Sequence, residues 1–310
     1  MTNHICLVGT TASGKSRIAI EIAKAFPDTF ELVSADSMAV YRGMDIGTAT
    51  PTAHERQAAR HHMIDIVDAG ADYTLSEFQS TVRAVLKDIE SRNKRAILVG
   101  GTGLYVRAIV DPFDIPGQFP DARRHVDQLS VDQLAERLGE LDPLALSRIP
   151  KGNERRLQRA LEVTIGSGRP FSSFGQGMDR FAPTSFAQFG IWLPRPVVAK
   201  RIESRVDEMI SSGWIDETRK LLDGDWSRTA RQAIGYKQWQ QVIAGEVPLE
   251  SARIEVISAT KSFARKQRMW FRRDPRVKWF GTEEDPAALI PALLAECRAW
   301  RNIEMQGGDK

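Results

Sequence analysis

The stretch GTTASGKS at residues 9–16 constrains this chain more than any other. It follows the apolar run ICLVG and precedes RIAIEIAKAF, so a buried strand turns sharply into an amphipathic helix. The spacing Gly-x4-Gly-Lys-Ser is that of a phosphate-binding loop. Gly9 and Gly14 let the backbone curl until successive N–H groups face one anion at a helix N-terminus. Lys15 is expected at the terminal phosphate oxygens, and the Ser16 hydroxyl on a Mg²⁺ ion. A strand–loop–helix of this kind needs a sheet with helices packed back on it. Kinases, ATPases, GTPases and some transferases share the loop, so it does not by itself say whose phosphate is held.

The first hundred residues supply the rest of such a sheet. ELVSAD, HHMIDIV and RAILVGG read as further strands. TLSEFQSTVRAVLKDIESR reads as a helix, with Thr74 and Glu77 as a capping box and Phe78, Val82, Leu86 and Ile89 as one apolar stripe. Alternating strands and helices imply a mostly parallel sheet covered on both faces. The expected class is therefore α/β: a P-loop NTPase-like parallel core flanked by helices. The pattern breaks at DPFDIPGQFP, which closes a first core segment at residue 117. Residues 118–188 carry helical patterns, VDQLSVDQLAERLGEL and NERRLQRALEVTIGSG, and no strand, which reads as a helical insertion domain. FGIWL returns the chain to the sheet, and residues 189–310 complete the core, mostly as helices rich in basic residues.

Composition narrows the class without naming a partner. A net charge of +3, a pI near 8.9 and 42% hydrophobic residues describe an ordinary globular chain that is only mildly basic. Cys6 and Cys297 lie far apart with no CxxC, so neither a zinc site nor a disulfide framework is expected, and Cys6 reads as a buried structural thiol. The opening MTNHICLVG lacks a basic n-region and no apolar run nears the roughly 20 residues of a membrane helix. A cytoplasmic protein with no membrane partner is expected.

Three further features carry chemistry. Asp36 closes the second strand in VSADSMAVY, at the sheet edge where ligands of open α/β folds bind, and suits a general base as well as a simple turn former. LVGGTGLY repeats the strand–turn–helix logic: Gly100 and Gly101 permit a tight turn, and the Thr102 hydroxyl with neighbouring N–H groups faces the crevice. Two anion-binding helix starts at one edge favour a diphosphate held from two sides. Basic residues cluster twice, in RIPKGNERRLQR (Arg148, Lys151, Arg155, Arg156, Arg159) and in KSFARKQRMWFRR, where aromatics interleave. Either cluster alone reads as a solvated face; beside a phosphate-handling core they suit RNA. The adjacent His61 and His62 read as structural.

Taken in order, GTTASGKS, DSMAVYRGMDIGTATP, HHMIDI, LVGGTGLY, RRLQRALEV, ARQAIGYKQ and TKSFARKQRMWFRR resemble the tRNA dimethylallyltransferase (isopentenyl-tRNA transferase) family over nearly the whole chain. Thr10 stands where the family usually has Pro, Ala39 where many members carry Gln, and Thr50 where Lys is frequent. The zinc-finger extension of eukaryotic members has no counterpart in the cysteine content.

The resemblance implies transfer of the dimethylallyl group from dimethylallyl diphosphate to N6 of the adenine just 3′ of the anticodon. Gly9, Thr10, Thr11, Ala12, Ser13, Gly14, Lys15 and Ser16 would hold the diphosphate with Mg²⁺, joined by Arg219. Asp36, Thr102 and Lys15 would be catalytic. Contact with the tRNA anticodon stem-loop would come from Asp36, Ser37, Met38 and Ala39, from Thr102 and Arg123, from Arg155, Arg156, Leu157, Gln158 and Arg159, and from Gln232, Ala233, Ile234, Gly235, Tyr236 and Lys237. Nothing demands more than a monomer. The competing expectations are a small-molecule kinase, an adenylate isopentenyltransferase acting on free AMP or ATP, and a non-enzymatic RNA-binding NTPase switch.

Overall fold

The computed structural model describes residues 4–174, 180–227 and 229–307. Along the chain, β1 (His4–Gly9) leads through the Gly-rich loop into α1 (Lys15–Ala25), then β2 (Phe30–Ser34). Two short helices, α2 (Asp45–Thr48) and α3 (Ala53–Ala58), precede β3 (His61–His62). Then come α4 (Leu75–Ser91), β4 (Arg95–Gly100) and α5 (Gly103–Val110). The inserted segment contains α6 (Pro120–Val126), α7 (Val131–Leu141), α8 (Pro143–Arg148) and α9 (Glu154–Ser167). After it follow β5 (Phe186–Trp192), α10 (Arg195–Ser211), α11 (Trp214–Leu222), α12 (Tyr236–Ile243), α13 (Leu249–Phe271), β6 (Lys278–Gly281) and α14 (Ile290–Gly307).

The strands form one parallel sheet in the order β3-β2-β4-β1-β5-β6. β1 is central, pairing Ile5 with Ile97 on one side and with Ala187 on the other. Its side chains alternate between two cores. Ile5 and Leu7 pack with Ile18 and Ile22 of α1 and Leu293 of α14. Cys6 and Val8 pack with Phe78 and Val82 of α4, Val106 of α5 and Phe271 of α13. Burial on both faces is why this strand is apolar from Ile5 to Val8. A third core joins Tyr41 to Trp214, Trp226, Tyr236 and Trp239. The capping box of α4 forms as expected, Thr74 with Glu77.

At the β2–β3 edge the Glu31 carboxylate is buried, and it accepts from Arg92 and, at 2.7 Å, from His62 Nε2. His61 bonds the Ala59 carbonyl through Nδ1 at 2.7 Å. Both histidines are thus structural. Burial alone would raise the Glu31 pKa, but the bonds from Arg92 and His62 outweigh it and hold the group at about 2.

The insertion is a compact unit of its own, Asp111–Ala182, rather than 118–188. The difference has a local cause: Thr184 is already back in the core, its hydroxyl donating to the Val110 carbonyl at 2.5 Å. Val126, Leu134, Leu138, Leu157 and Leu161 form its centre. Its helices are capped by Ser130, Asp142 and Asn153, and Gly168 ends α9 in the left-handed region. Three other expectations shift. HHMIDIV yields only a two-residue strand, because Met63 and Asp65 adopt positive φ and turn the chain out of the sheet. In RQAIGYKQWQQ the helix starts only at Tyr236, after Gly235 at φ 96°. Within the mostly helical remainder of the core, the strand β6 adds an edge to the sheet that was not singled out in the sequence.

Candidate active site

β1, β2 and β4 end side by side, and the turns that follow them share one cavity of about 440 Å³ at the carboxyl edge of the sheet. Thr11, Lys15 and Ser16 line it from the first turn, Asp36, Ser37, Met38 and Ala39 from the second, and Thr102 from the third. Gln232, Ala233 and Ile234 line it as well, whereas Gly235, Tyr236 and Lys237 do not.

The loop itself is tightly built. Gly14 lies at φ 84° and caps α1, and Ala12 adopts φ 59°. Gly9 is needed for closeness: a Cβ there would sit 2.9 Å from the Ile191 carbonyl oxygen and from the Ser13 hydroxyl. The first N–H groups of α1 have no partner within the helix and point where an anion would sit. Lys15 Nζ donates to the Thr10 carbonyl at 2.7 Å, which holds the ammonium across the loop. Burial is the main cause of a Lys15 pKa lowered to about 8; the Arg205 charge adds to it and the Asp36 charge opposes it. Ser16 is exposed and lines the cavity. Asp36 Oδ1 accepts from the Met38 N–H at 2.8 Å, which orients the carboxylate; among the described residues none donates to Oδ2.

Two arginines that sequence reasoning missed stand beside the phosphate loop. Arg201 and Arg205 stand four residues apart on α10, a spacing that puts both on one helix face. Arg201 Nε donates to the Ala12 carbonyl of the loop at 2.8 Å. Arg205 lines the cavity, where burial lowers its pKa against the attraction of Asp36. Arg219, expected at the diphosphate, is instead exposed on α11, paired with Asp216 one turn earlier, and does not line the cavity. The arginine that faces Lys15 and Asp36 is Arg205.

The glycines after β4 also have a different reason from the one expected. None of Gly100, Gly101 and Gly103 has positive φ. They are bare so that neighbours can approach: a Cβ would lie 2.7 Å from that of Ala35 at Gly100, 2.4 Å from Gln267 Nε2 at Gly101 and 2.1 Å from the Trp270 ring at Gly103.

The residues expected to meet RNA separate by exposure. Tyr236 is 0% exposed; its ring packs against Trp214 and Trp226, and its hydroxyl donates to Glu217 Oε1 at 2.7 Å. A base cannot stack on it, and Gly235 is bare for the Trp214 ring, which a Cβ would meet at 2.1 Å. Ala39 and Leu157 are likewise buried. Gln232 and Lys237 are exposed, as are Arg155 and Arg156 on α9. Arg159 turns inward within the insertion, donating to Glu162 at 2.5 Å and to the carbonyls of Pro116 and Gly117 at 2.9 and 3.0 Å. Arg123 pairs with Asp127 at 2.7 Å and donates to Gln158 Oε1 at 3.0 Å.

A family model described as IPP transferase matches residues 39–274. Among named relatives, the tRNA dimethylallyltransferase of Paenarthrobacter aurescens is 41% identical over 93% of this chain and 94% of its own. That of Carboxydothermus hydrogenoformans is 39% identical over 91% and 92%. The crystal structure of the full-length tRNA isopentenylpyrophosphate transferase from Bacillus halodurans superposes with a TM-score of 0.73 at 32% identity, covering 100% of both chains. By sequence along most of its length and by fold throughout, this chain belongs to the IPP transferase family.

Proposed function

We propose that this protein is a tRNA dimethylallyltransferase, moving the dimethylallyl group from dimethylallyl diphosphate to N6 of the adenine immediately 3′ of the anticodon. The observation that carries it is the single cavity in which Lys15, Arg205 and the phosphate-loop helix start face the carboxylate of Asp36. A small-molecule kinase shares such cations and often an aspartate after the second strand; what weighs against it is the family to which this chain belongs.

The chemistry divides between the two halves of that cavity. As the allylic C–O bond breaks, negative charge gathers on the departing diphosphate, and Lys15, Arg205 and the α1 N–H groups stabilise it in place. The adenine amine is a weak nucleophile because its lone pair is delocalised into the ring. As its nitrogen bonds the allylic carbon, its N–H becomes acidic, and Asp36 Oδ2 takes the proton. The products are the N6-substituted adenine, diphosphate and a protonated Asp36 that returns its proton to water. Thr102, at the start of α5, lies where it orients either the amine or the diphosphate.

The donor atoms suit Mg²⁺. Ser16 offers a hydroxyl, a hard oxygen ligand, while among the described residues no group of three or more His, Cys, Asp or Glu side chains could hold a metal ion by itself. An ion bound there would take its remaining ligands from diphosphate oxygens and water, the usual habit of Mg²⁺. When bound it neutralises charge on the leaving group.

The target base must leave its stack to enter such a cavity. Gln232 and Ile234 flank the opening on the core, and Arg155 and Arg156 are free to meet phosphates of the anticodon stem-loop. The proposed state is a monomer. The test is incubation with labelled dimethylallyl diphosphate and tRNA, AMP, or ATP with small acceptors. Label entering tRNA is expected. Label entering AMP alone would make this an adenylate isopentenyltransferase, and ATP turnover without prenyl transfer would make it a kinase or switch.

A further inference from the structure

Gln267, on α13, is 5% exposed and lies behind both of the turns that face the cavity from β1 and β4. Its Oε1 accepts from the Thr11 N–H of the phosphate loop at 2.7 Å. Its Nε2 donates to the Gly101 carbonyl at 2.9 Å. Among the described residues, no other side chain bonds both turns. We propose that Gln267 is a positioning residue that sets the separation of the phosphate loop from the Thr102 turn, so that both converge on one diphosphate. This rests on the diphosphate reading given above.

Three features support it. A primary amide presents one acceptor and one donor in a fixed plane, which matches an N–H on one turn and a carbonyl on the other. The last β1–β4 partners are Val8 and Gly100, so both turns lie beyond the ladder and need another tie. The Gly101 and Gly103 positions stay bare for Gln267 and for Trp270. The bond also uses the Thr11 N–H, which leaves the diphosphate to Lys15, Arg205 and the start of α1. Spacing matters because a polar site tolerates only about 0.5 Å of misplacement before its contacts weaken.

A diphosphate reaches both turns, whereas orthophosphate fills only one, and this separates positioning from general stability. The experiment is calorimetric binding of inorganic pyrophosphate and of orthophosphate, with Mg²⁺, to the full chain and to its Gln267→Met and Gln267→Glu variants. Gln267→Met removes both bonds; Gln267→Glu keeps the acceptor and sets a carboxylate oxygen against the Gly101 carbonyl. The expected result is a pyrophosphate Kd raised about tenfold or more in each variant, the size of one lost or misplaced hydrogen bond, with orthophosphate unchanged. Equal weakening of both anions, weakening of neither, or unfolding of both variants would assign the amide to stability and overturn the proposal. If the unaltered chain binds no pyrophosphate, the diphosphate reading itself fails, and the role of Gln267 fails with it.

Discussion

At the residue scale, the proposed chemistry rests on two side chains of opposite sign, Asp36 and Lys15. Replacing Asp36 with alanine is expected to lower the single-turnover rate of prenyl transfer by about 10²–10⁴, the usual worth of a general base, with a much smaller change in tRNA affinity. An unaltered rate removes Asp36 from that role. Lys15 titrates at about 8, with burial the first cause. Only its ammonium form attracts diphosphate, so affinity for dimethylallyl diphosphate is expected to fall as pH rises above about 8. The stability consequence has the opposite sense. A lysine held below its ordinary 10.5 binds fewer protons folded than unfolded, so stability rises between pH 8 and 10.5. Lys15→Met is therefore expected to raise the thermal midpoint at pH 7 while abolishing pyrophosphate binding, as paired melting and calorimetry would show. Lys15, Ser16, Asp36 and Thr102 were legible because each follows a strand at a fixed place. The anion-facing arginine was not, since RIESR and DETRK make equal claims in sequence. Packing decides between them, and Asp216, three residues before Arg219, was the one local sign that Arg219 has another partner.

At the element scale, the sheet was legible wherever a strand is buried on both faces and reads as an apolar run, as β1 and β4 do. β3 and β6 are short edge strands with partly exposed residues, and such strands leave little pattern to read. The glycines of GGTG were visible, but not their cause, because Gly101 and Gly103 are pressed by a helix that comes more than 160 residues later in the chain. The insertion was legible through its capping residues and helical periodicity; its ends were not, because Val110 and Thr184 meet only in the folded core. Glu31 makes the β2 edge sensitive to acid. Its pKa of about 2 lies below its ordinary 4.5, so its contribution is present above pH 4.5 and is lost as pH falls toward 2. Glu31→Gln is expected to lower stability at pH 7 by about 3 kcal/mol and to flatten the acid limb in that window, as denaturant titrations across pH would reveal. An acid limb identical to that of the unaltered chain would mean the ion cluster contributes nothing.

At the scale of the whole molecule, a parallel core holds the cavity lined by Lys15, Asp36 and Arg205, and a separate helical unit exposes Arg155 and Arg156. Arg156 is exposed on α9, whereas Arg159 is tied to Glu162 and two carbonyls of its own unit. Arg156→Glu is thus expected to weaken tRNA binding and reduce the slope of log K against log salt by about one, without loss of folding. An unchanged slope would mark Arg156 as a solvated residue only. No helix among the described residues is long and apolar enough to cross a membrane. The central claim is that one cavity holds the donor's diphosphate beside a carboxylate that deprotonates an adenine amine. A crystal structure with tRNA and an unreactive dimethylallyl diphosphate analogue tests it most directly. It is predicted to show the diphosphate on Lys15, Arg205 and the α1 N-terminus, and the extruded adenine N6 within hydrogen-bond reach of Asp36. A diphosphate bound elsewhere, or an N6 out of reach of Asp36, would contradict it.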